Sequence, residues 1–219
     1  MKHAALLHYA APPVVGGVES TLRAHARLLS EAGYSVRVIA GRGKGFDVFA
    51  PLTLIPKAGS RHPAVEAVQQ ELAAGQVGES FQILSDELHD ELKRALVGCD
   101  VCIAHNVATL NKNLALTAAL HRLAQARHIR VIAWCHDFAW TDPLYQPQLH
   151  QGWPWELLKT AWPGVRYVVV SQARRAELSG LLGLPADQVA IVPPGISPRE
   201  FLGLGQRAVE WMDRWGLWQ

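Results

Sequence analysis

Apolar positions along this chain follow two patterns, short uninterrupted runs and longer stretches in which apolar residues recur every three or four positions. The first run, at residues 4–7, is too short for a helix and has no polar interruption, so it predicts a strand buried on both faces. After a proline pair, Gly16-Gly17 lets the backbone turn. The spacing that follows predicts an amphipathic helix that stops at Gly33. The apolar residues of that helix are Val18, Leu22, Ala26 and Leu29.

The same alternation of strand and helix continues to the end of the chain. Short apolar runs predict further strands at residues 35–40, 52–55, 100–104, 129–134, 166–170 and 189–192. Helical spacing predicts helices at residues 62–74, 79–97, 110–124, 156–161 and 172–182, the last with Ser171 as its N-cap. Strands that alternate with helices pair in parallel and are covered on both faces. The fold class predicted is therefore α/β, a Rossmann-like parallel sheet with helices on both faces.

Ligands of such sheets bind where the strands end, so the residues after each strand are the candidates for chemistry. They are Gly16-Gly17, His105-Asn106, His136-Asp137 and Ser171. The glycine pair stands at a helix start, where free N–H groups and the helix dipole favour an anion, and we expect a phosphate-bearing sugar donor there. A tight turn that simply needs glycine is the alternative. The pair lacks the G-x-G-x-x-G spacing of dinucleotide folds.

Two histidines, His105 and His136, each end a predicted strand and should point to the same edge of the sheet. An imidazole there can donate to a sugar hydroxyl or to charge developing on a leaving oxygen, although either histidine could instead be structural. Asp137 either fixes the neighbouring ring or caps a helix. Arg174 either pairs with an acidic or phosphorylated group or belongs to a solvated face. Candidate stacking surfaces for sugars, with the core as the alternative, are Trp140, Trp153 and Trp155.

Composition narrows the class of protein. The chain has 219 residues, a formal charge of +2 and scattered basic residues, which gives no reason to expect nucleic acid. No apolar run reaches the length of a membrane span, so we expect a cytoplasmic protein, with contact to a membrane surface left open. Cys99 and Cys102 have C-x-x-C spacing, but no second pair completes a zinc site, so they are interpreted as core residues. We expect neither a metal nor a cofactor.

Together these stretches resemble the N-terminal half of glycosyltransferase family 4, whose members are retaining enzymes of the GT-B fold. The likeness rests on the sequence after the first strand, Gly16-Gly17-Val18-Glu19, and on four later motifs in the same order. These are Asp100-Val-Cys-Ile-Ala-His105-Asn106, Trp134-Cys135-His136-Asp137, Val170-Ser171-Gln172-Ala173-Arg174 and Val192-Pro193-Pro194-Gly195-Ile196. The last is similar to the hinge of that family, where asparagine often replaces Pro194.

The resemblance implies two Rossmann-like domains that face each other across a cleft. Residues 1–192 would form the acceptor-binding domain, and residues 193–219 the hinge and the start of a donor-binding domain. His136 would be catalytic and would contact the donor sugar. Gly16, Gly17 and Asp137 would bind the phosphates or sugar of a nucleotide-sugar, which is a substrate rather than a cofactor. The acceptor, a sugar or a lipid-linked molecule, would meet Glu19, His105, Asn106 and Arg174.

The departure from the family is that its donor-binding domain, which carries a Glu-x7-Glu motif, is not found among these residues. We therefore expect a truncated chain that transfers very little sugar alone and whose tryptophan-rich stretch at 201–219 needs a packing partner. One alternative is a non-catalytic module that binds carbohydrate or lipid. Another is a nicotinamide-dependent oxidoreductase or epimerase, which the missing glycine motif and the lack of a Tyr-x-x-x-Lys pair disfavour.

Overall fold

The computed structural model describes residues 2–14, 16–44, 49–195 and 202–217. Ile196 and Trp218, which belong to stretches named above, lie outside these residues. The strands are β1 (His3–His8), β2 (Ser35–Ala40), β3 (Leu52–Leu54), β4 (Val101–His105), β5 (Arg130–Cys135), β6 (Arg166–Val169) and β7 (Val189–Ile191). The α-helices are α1 (Gly17–Glu31), α2 (Pro63–Ala73), α3 (Glu79–Ala95), α4 (Leu114–Gln125), α5 (Gln172–Leu182) and α6 (Gln206–Arg214).

All of the described strands form one parallel sheet in the order β3-β2-β1-β4-β5-β6-β7. β1 pairs with β2 on one side and with β4 on the other, so the chain reverses its direction of travel across the sheet between β1 and β4. In folds of this kind, ligands bind at the carboxyl ends of the strands beside such a reversal. The predicted Rossmann-like α/β class is confirmed.

Helices cover both faces of the sheet, but unequally. On one face α1 packs its buried Leu22 and Ala26 against β1, β2 and β4. On the other face α2, α3, α4 and α5 enclose a larger core whose fully buried side chains include Phe81, Leu88 and Leu120. Of the apolar stripe predicted for α1, Leu22 and Ala26 are buried, whereas Val18 and Leu29 are partly exposed.

Some elements begin or end elsewhere than the sequence pattern predicts. The helix expected from residue 110 starts at Leu114, because the side chain of Asn113 caps it by accepting the Leu116 N–H at 3.1 Å. The short helix expected at 156–161 is a 3₁₀ turn, Trp155–Leu158. β1, β4 and β5 each run one residue further than predicted, so His8 and His105 are the last residues of their strands.

The structure also answers several of the smaller predictions. Cys102 is buried, Cys99 is partly buried, and no disulfide joins the three cysteines. Trp155 is buried, so of its two predicted alternatives it takes the core position, whereas Trp153 is 49% exposed with its ring against Phe81. Among the described residues no helix combines the length and hydropathy needed to cross a bilayer.

Candidate functional site

Three histidines meet at the carboxyl ends of β1, β4 and β5, and they form the centre of the candidate site. His8 ends β1, His105 ends β4, and His136 directly follows β5. The Nδ1 of His8 donates a hydrogen bond to the carbonyl oxygen of His105 at 2.9 Å. The Nδ1 of His105 lies 3.3 Å from the Nε2 of His136, within hydrogen-bond distance. The predicted convergence of His105 and His136 is therefore observed.

Asn106 fastens the loop after β4 to the loop after β5. Its side-chain Oδ1 accepts the backbone N–H of His136 at 2.7 Å and that of Asp137 at 3.3 Å. Its Nδ2 donates to the Asp137 carboxylate at 3.2 Å. The residue adopts a left-handed conformation, with φ of 60°, that asparagine tolerates better than most residues, and it is 2% exposed. The polar side-chain atoms of Asn106 are thus used in hydrogen bonds to His136 and Asp137. The predicted contact of Asn106 with an acceptor stays a prediction.

Glu19, in the first turn of α1, brings a carboxylate to the histidines. Its Oε1 lies 3.9 Å from the Nε2 of His8, and both side chains are largely buried. Because the Nδ1 of His8 carries the proton that it donates to a carbonyl, the Nε2 that faces Glu19 is a bare acceptor when this imidazole is neutral. The Nε2 of a neutral His8 and the oxygens of Glu19 therefore face the same small space, which suits a bound hydrogen-bond donor such as a hydroxyl or water.

Gly16 and Gly17 form the start of α1 and differ in their surroundings. A Cβ on Gly16 would lie 2.2 Å from the Oε2 of Glu19, so glycine at this position leaves room for that carboxylate. A Cβ on Gly17 would meet nothing within 4 Å. The N-cap, Gly16, offers no side-chain hydrogen bond to the first turn of the helix. The start of α1 therefore has free space beside Gly17 and the Glu19 carboxylate close to Gly16.

Arg174 reaches the site from the first turn of α5. The Ser171 hydroxyl caps this helix by accepting the Arg174 N–H at 3.2 Å, which confirms the predicted N-cap. One guanidinium nitrogen lies 3.6 Å from the Asp137 carboxylate and the other 2.8 Å from Glu177. The guanidinium also lies 5.3 Å from the centre of the Phe138 ring. Both charges of the Arg174–Asp137 pair remain partly exposed, so a ligand can still reach them.

Burial keeps the imidazoles of this edge neutral near pH 7. It lowers the pKa of His8 to about 4, although the Glu19 carboxylate partly opposes that shift. It lowers the pKa of His25 to about 4 as well. Burial also lowers the pKa of His105 well below its ordinary range and lowers that of His136. Within the described part of the chain, no group of three or more His, Cys, Asp or Glu side chains is arranged to hold a metal ion.

Two histidines at this edge, His8 of the central group and His25 packed against it, were not predicted. His8 stands at the end of a buried strand, so the rule that identified His105 and His136 would have identified it too. His25 lies on α1, where nothing in the local sequence marks it. Its ring packs 4.3 Å from the ring of Trp134 and 5.1 Å from that of His105, both measured between ring centres.

The opposite edge of the sheet holds a separate cavity of about 470 Å³, lined among others by Lys2, Tyr34, Arg130 and Arg166. None of the predicted site residues lines it.

The sequence comparison points to one family. The chain matches Glycosyltransferase Family 4 over residues 15–200. No curated protein matches it in sequence.

Solved structures give a likeness of fold. WaaG, a glycosyltransferase involved in lipopolysaccharide biosynthesis, is 13% identical with a TM-score of 0.52, over 97% of this chain and 51% of that one. A glycosyltransferase from Rickettsia africae ESF-5 is 10% identical with a TM-score of 0.56, over 98% and 49%. The apo form of the lipopolysaccharide outer core galactosyltransferase WaaB is 12% identical with a TM-score of 0.50, over 90% and 46%. The chain thus spans about half the length of these structures.

Proposed function

The chain belongs to Glycosyltransferase Family 4, and on that premise we propose that it is the acceptor-binding domain of a retaining glycosyltransferase that uses a nucleotide-sugar donor. A second, donor-binding domain would complete the cleft, and this chain alone would transfer very little sugar. The chain matches about half of each solved structure, which is consistent with one of two domains of similar size.

One observation carries the proposal: the start of α1, with free space beside Gly17, and the imidazole of His136 lie at the same edge of the sheet, beside the reversal between β1 and β4. A nucleotide-sugar has a diphosphate next to the sugar carbon that reacts. The first N–H groups of α1, with no side chain in front of Gly17, suit the diphosphate. His136 would contact the donor sugar near the reacting carbon, and Asp137 would assist donor binding.

The residues assigned to the acceptor fall into two groups. Arg174 is partly exposed, and the largely buried Glu19 carboxylate faces the histidines, so we propose that these two residues contact the acceptor hydroxyls directly. His105 is fully buried and Asn106 nearly so, and we propose that they support the acceptor side from within.

In the proposed reaction the bond between the sugar carbon and the diphosphate oxygen breaks, and the diphosphate leaves with the electron pair. The acceptor oxygen forms the new bond, and its proton passes to the departing diphosphate. A neutral imidazole placed beside the reacting carbon can donate an N–H to oxygen that gains charge as the bond breaks. In an enzyme that contains this chain and its donor-binding domain, we expect His136→Ala to lower kcat by about 10²–10³-fold with the fold intact. Unchanged turnover would contradict the role given to His136.

The test on this chain itself is a titration of the ¹⁵N-labelled protein with UDP-glucose and GDP-mannose, with NAD as a negative probe. We expect weak binding of at least one nucleotide-sugar, with the largest amide shifts at Gly17 and His136. Gly17→Ala should weaken that binding at least several-fold, because the methyl group enters the space proposed for the diphosphate.

Gly180→Ala is the matched control, since Gly180 is also an exposed helical glycine whose Cβ would meet nothing within 4 Å. Neither substitution should destabilise the fold. If Gly17→Ala binds as tightly as the control, or if the shifts lie at the amino edge of the sheet, the proposed donor site is wrong.

A further inference from the structure

The contact between His105 and His136 needs one donor and one acceptor. Each neutral imidazole carries a single N–H, on either Nδ1 or Nε2. The His105 Nδ1 and the His136 Nε2 lie 3.3 Å apart, and the two ring planes differ by 24°. Only two arrangements therefore make this hydrogen bond. Either His105 donates from Nδ1, or His136 donates from Nε2.

The two arrangements differ in what they leave at the other nitrogen of His105. That nitrogen, Nε2, is completely buried and has no hydrogen-bond partner among the described residues. If His136 donates, the proton of His105 must sit on this Nε2, as a buried N–H without an acceptor. If His105 donates, Nε2 is a bare lone pair. A buried N–H without an acceptor is rarer and less favourable than a buried lone pair without a donor.

The neighbouring Trp134 makes a buried N–H at His105 Nε2 still less favourable. Its ring stacks on that of His105, with ring centres 5.8 Å apart, and its indole N–H is also buried without a partner. An Nε2–H on His105 would place two orphaned N–H groups in one small region. A bare Nε2 leaves the indole N–H as the single orphaned donor of these two rings.

We propose that His105 is a positioning residue that donates from Nδ1 to His136 and thereby fixes His136 as the tautomer with its proton on Nδ1. His136 has no hydrogen-bond partner at Nδ1 among the described residues. It therefore offers an N–H to a ligand, and the chemistry that it recognises is an oxygen lone pair, from a sugar hydroxyl or a phosphate. It does not act as a base in this state.

The ligand side of this inference rests on the proposed function, whereas the tautomer does not. Both rings are neutral near pH 7, because burial lowers the pKa of each, so the tautomer is a defined property of the free chain. Its measurement requires no ligand and no activity, and the result stands even if the sugar-transfer proposal fails.

The experiment is a long-range ¹H–¹⁵N correlation spectrum of the imidazole rings of the free chain at pH 7. We expect both His105 and His136 to carry the proton on Nδ1. A spectrum in which His136 is protonated on Nε2 would overturn the proposal, whatever any variant does.

His105→Phe keeps the aromatic ring in the buried position and removes the donor. The signals of His136 should then change from a fixed Nδ1–H form to the other tautomer or to a mixture. His25→Phe is the control, because His25 packs against the same ring and makes no hydrogen bond to His136 among the described residues. It should leave the tautomer as it was. If His136 stays fully Nδ1–H in folded His105→Phe, another group fixes it and the assignment to His105 is wrong.

Discussion

Replacement of Asn106 by alanine tests whether the site is held together by the clamp between the loops after β4 and β5. The substitution removes the acceptor for the His136 N–H, now bonded at 2.7 Å, and the weaker bonds to Asp137. A polar group left unsatisfied in a partly buried position destabilises a protein by about 1–3 kcal/mol. A methyl group at a φ of 60° adds about 1 kcal/mol, so we expect a loss of about 2–4 kcal/mol.

Asn106→Gly separates the two contributions. Glycine adopts positive φ freely, so this variant should be about 1 kcal/mol more stable than Asn106→Ala, yet still less stable than the natural protein. Arg127 supplies the control, because it is exposed and has a φ of 53°. The difference between Arg127→Gly and Arg127→Ala measures the backbone contribution alone in the same chain.

The assay is urea unfolding followed by tryptophan fluorescence, with the amide ¹H–¹⁵N signal of His136 as the local readout. The clamp predicts that this signal moves in both Asn106 variants and in neither Arg127 variant. Either of two results would refute the reasoning. One is an Asn106→Ala protein within about 0.5 kcal/mol of the natural protein, a loss typical of surface substitutions. The other is full recovery of stability in Asn106→Gly.

Three further predictions concern acid stability, the glycine turn and the thiols. The pKa values of His8 and His25 lie near 4 in the folded chain, below the ordinary value of 6.5, so stability that is complete above pH 6.5 is lost as pH falls toward 4. Each imidazole changes the free energy of unfolding, measured with urea, by up to about 1.4 kcal/mol per pH unit in this range. In His25→Phe this pH dependence should be smaller by the contribution of one imidazole. Gly16→Ala should push the Glu19 carboxylate away and lower the pKa of His8 further, with little change in stability; an unchanged His8 titration in NMR would contradict this. In the folded chain only Cys99 should react with a thiol reagent such as DTNB, because burial shields the other two cysteines and raises the pKa of their thiols to about 12, and full reaction needs denaturant.

The parts of the fold that the sequence predicts well are those that depend on local chemistry. β2 has the bounds expected from its apolar run, and α5 begins after the expected Ser171 cap. The region before α4 was predicted less well, because Leu110 continues the apolar spacing of the helix although it belongs to a buried loop. Apolar spacing does not show on which side of a cap such as Asn113 a leucine lies.

Some features of the candidate site can be predicted from the sequence and others cannot. The rule for parallel sheets predicts that His105 and His136 share an edge, because it needs only the strand ends. It does not predict that the amide of Asn106 turns inward to the backbone of His136, since that depends on the distance between two loops. Nor does it reveal His25, which reaches the site only because α1 packs across the ends of the strands.

The pairing of β1 with β4 has a consequence for the kinetics of folding. His8 and His105, which join through a hydrogen bond, stand 97 positions apart along the chain. Such distant partners meet late, after the entropy of closing a long loop has been overcome. A growing polypeptide therefore has no functional edge until β5 has left the ribosome. Any molecule that binds this edge binds only the finished sheet, and by mass action it will shift the folding equilibrium toward the native state.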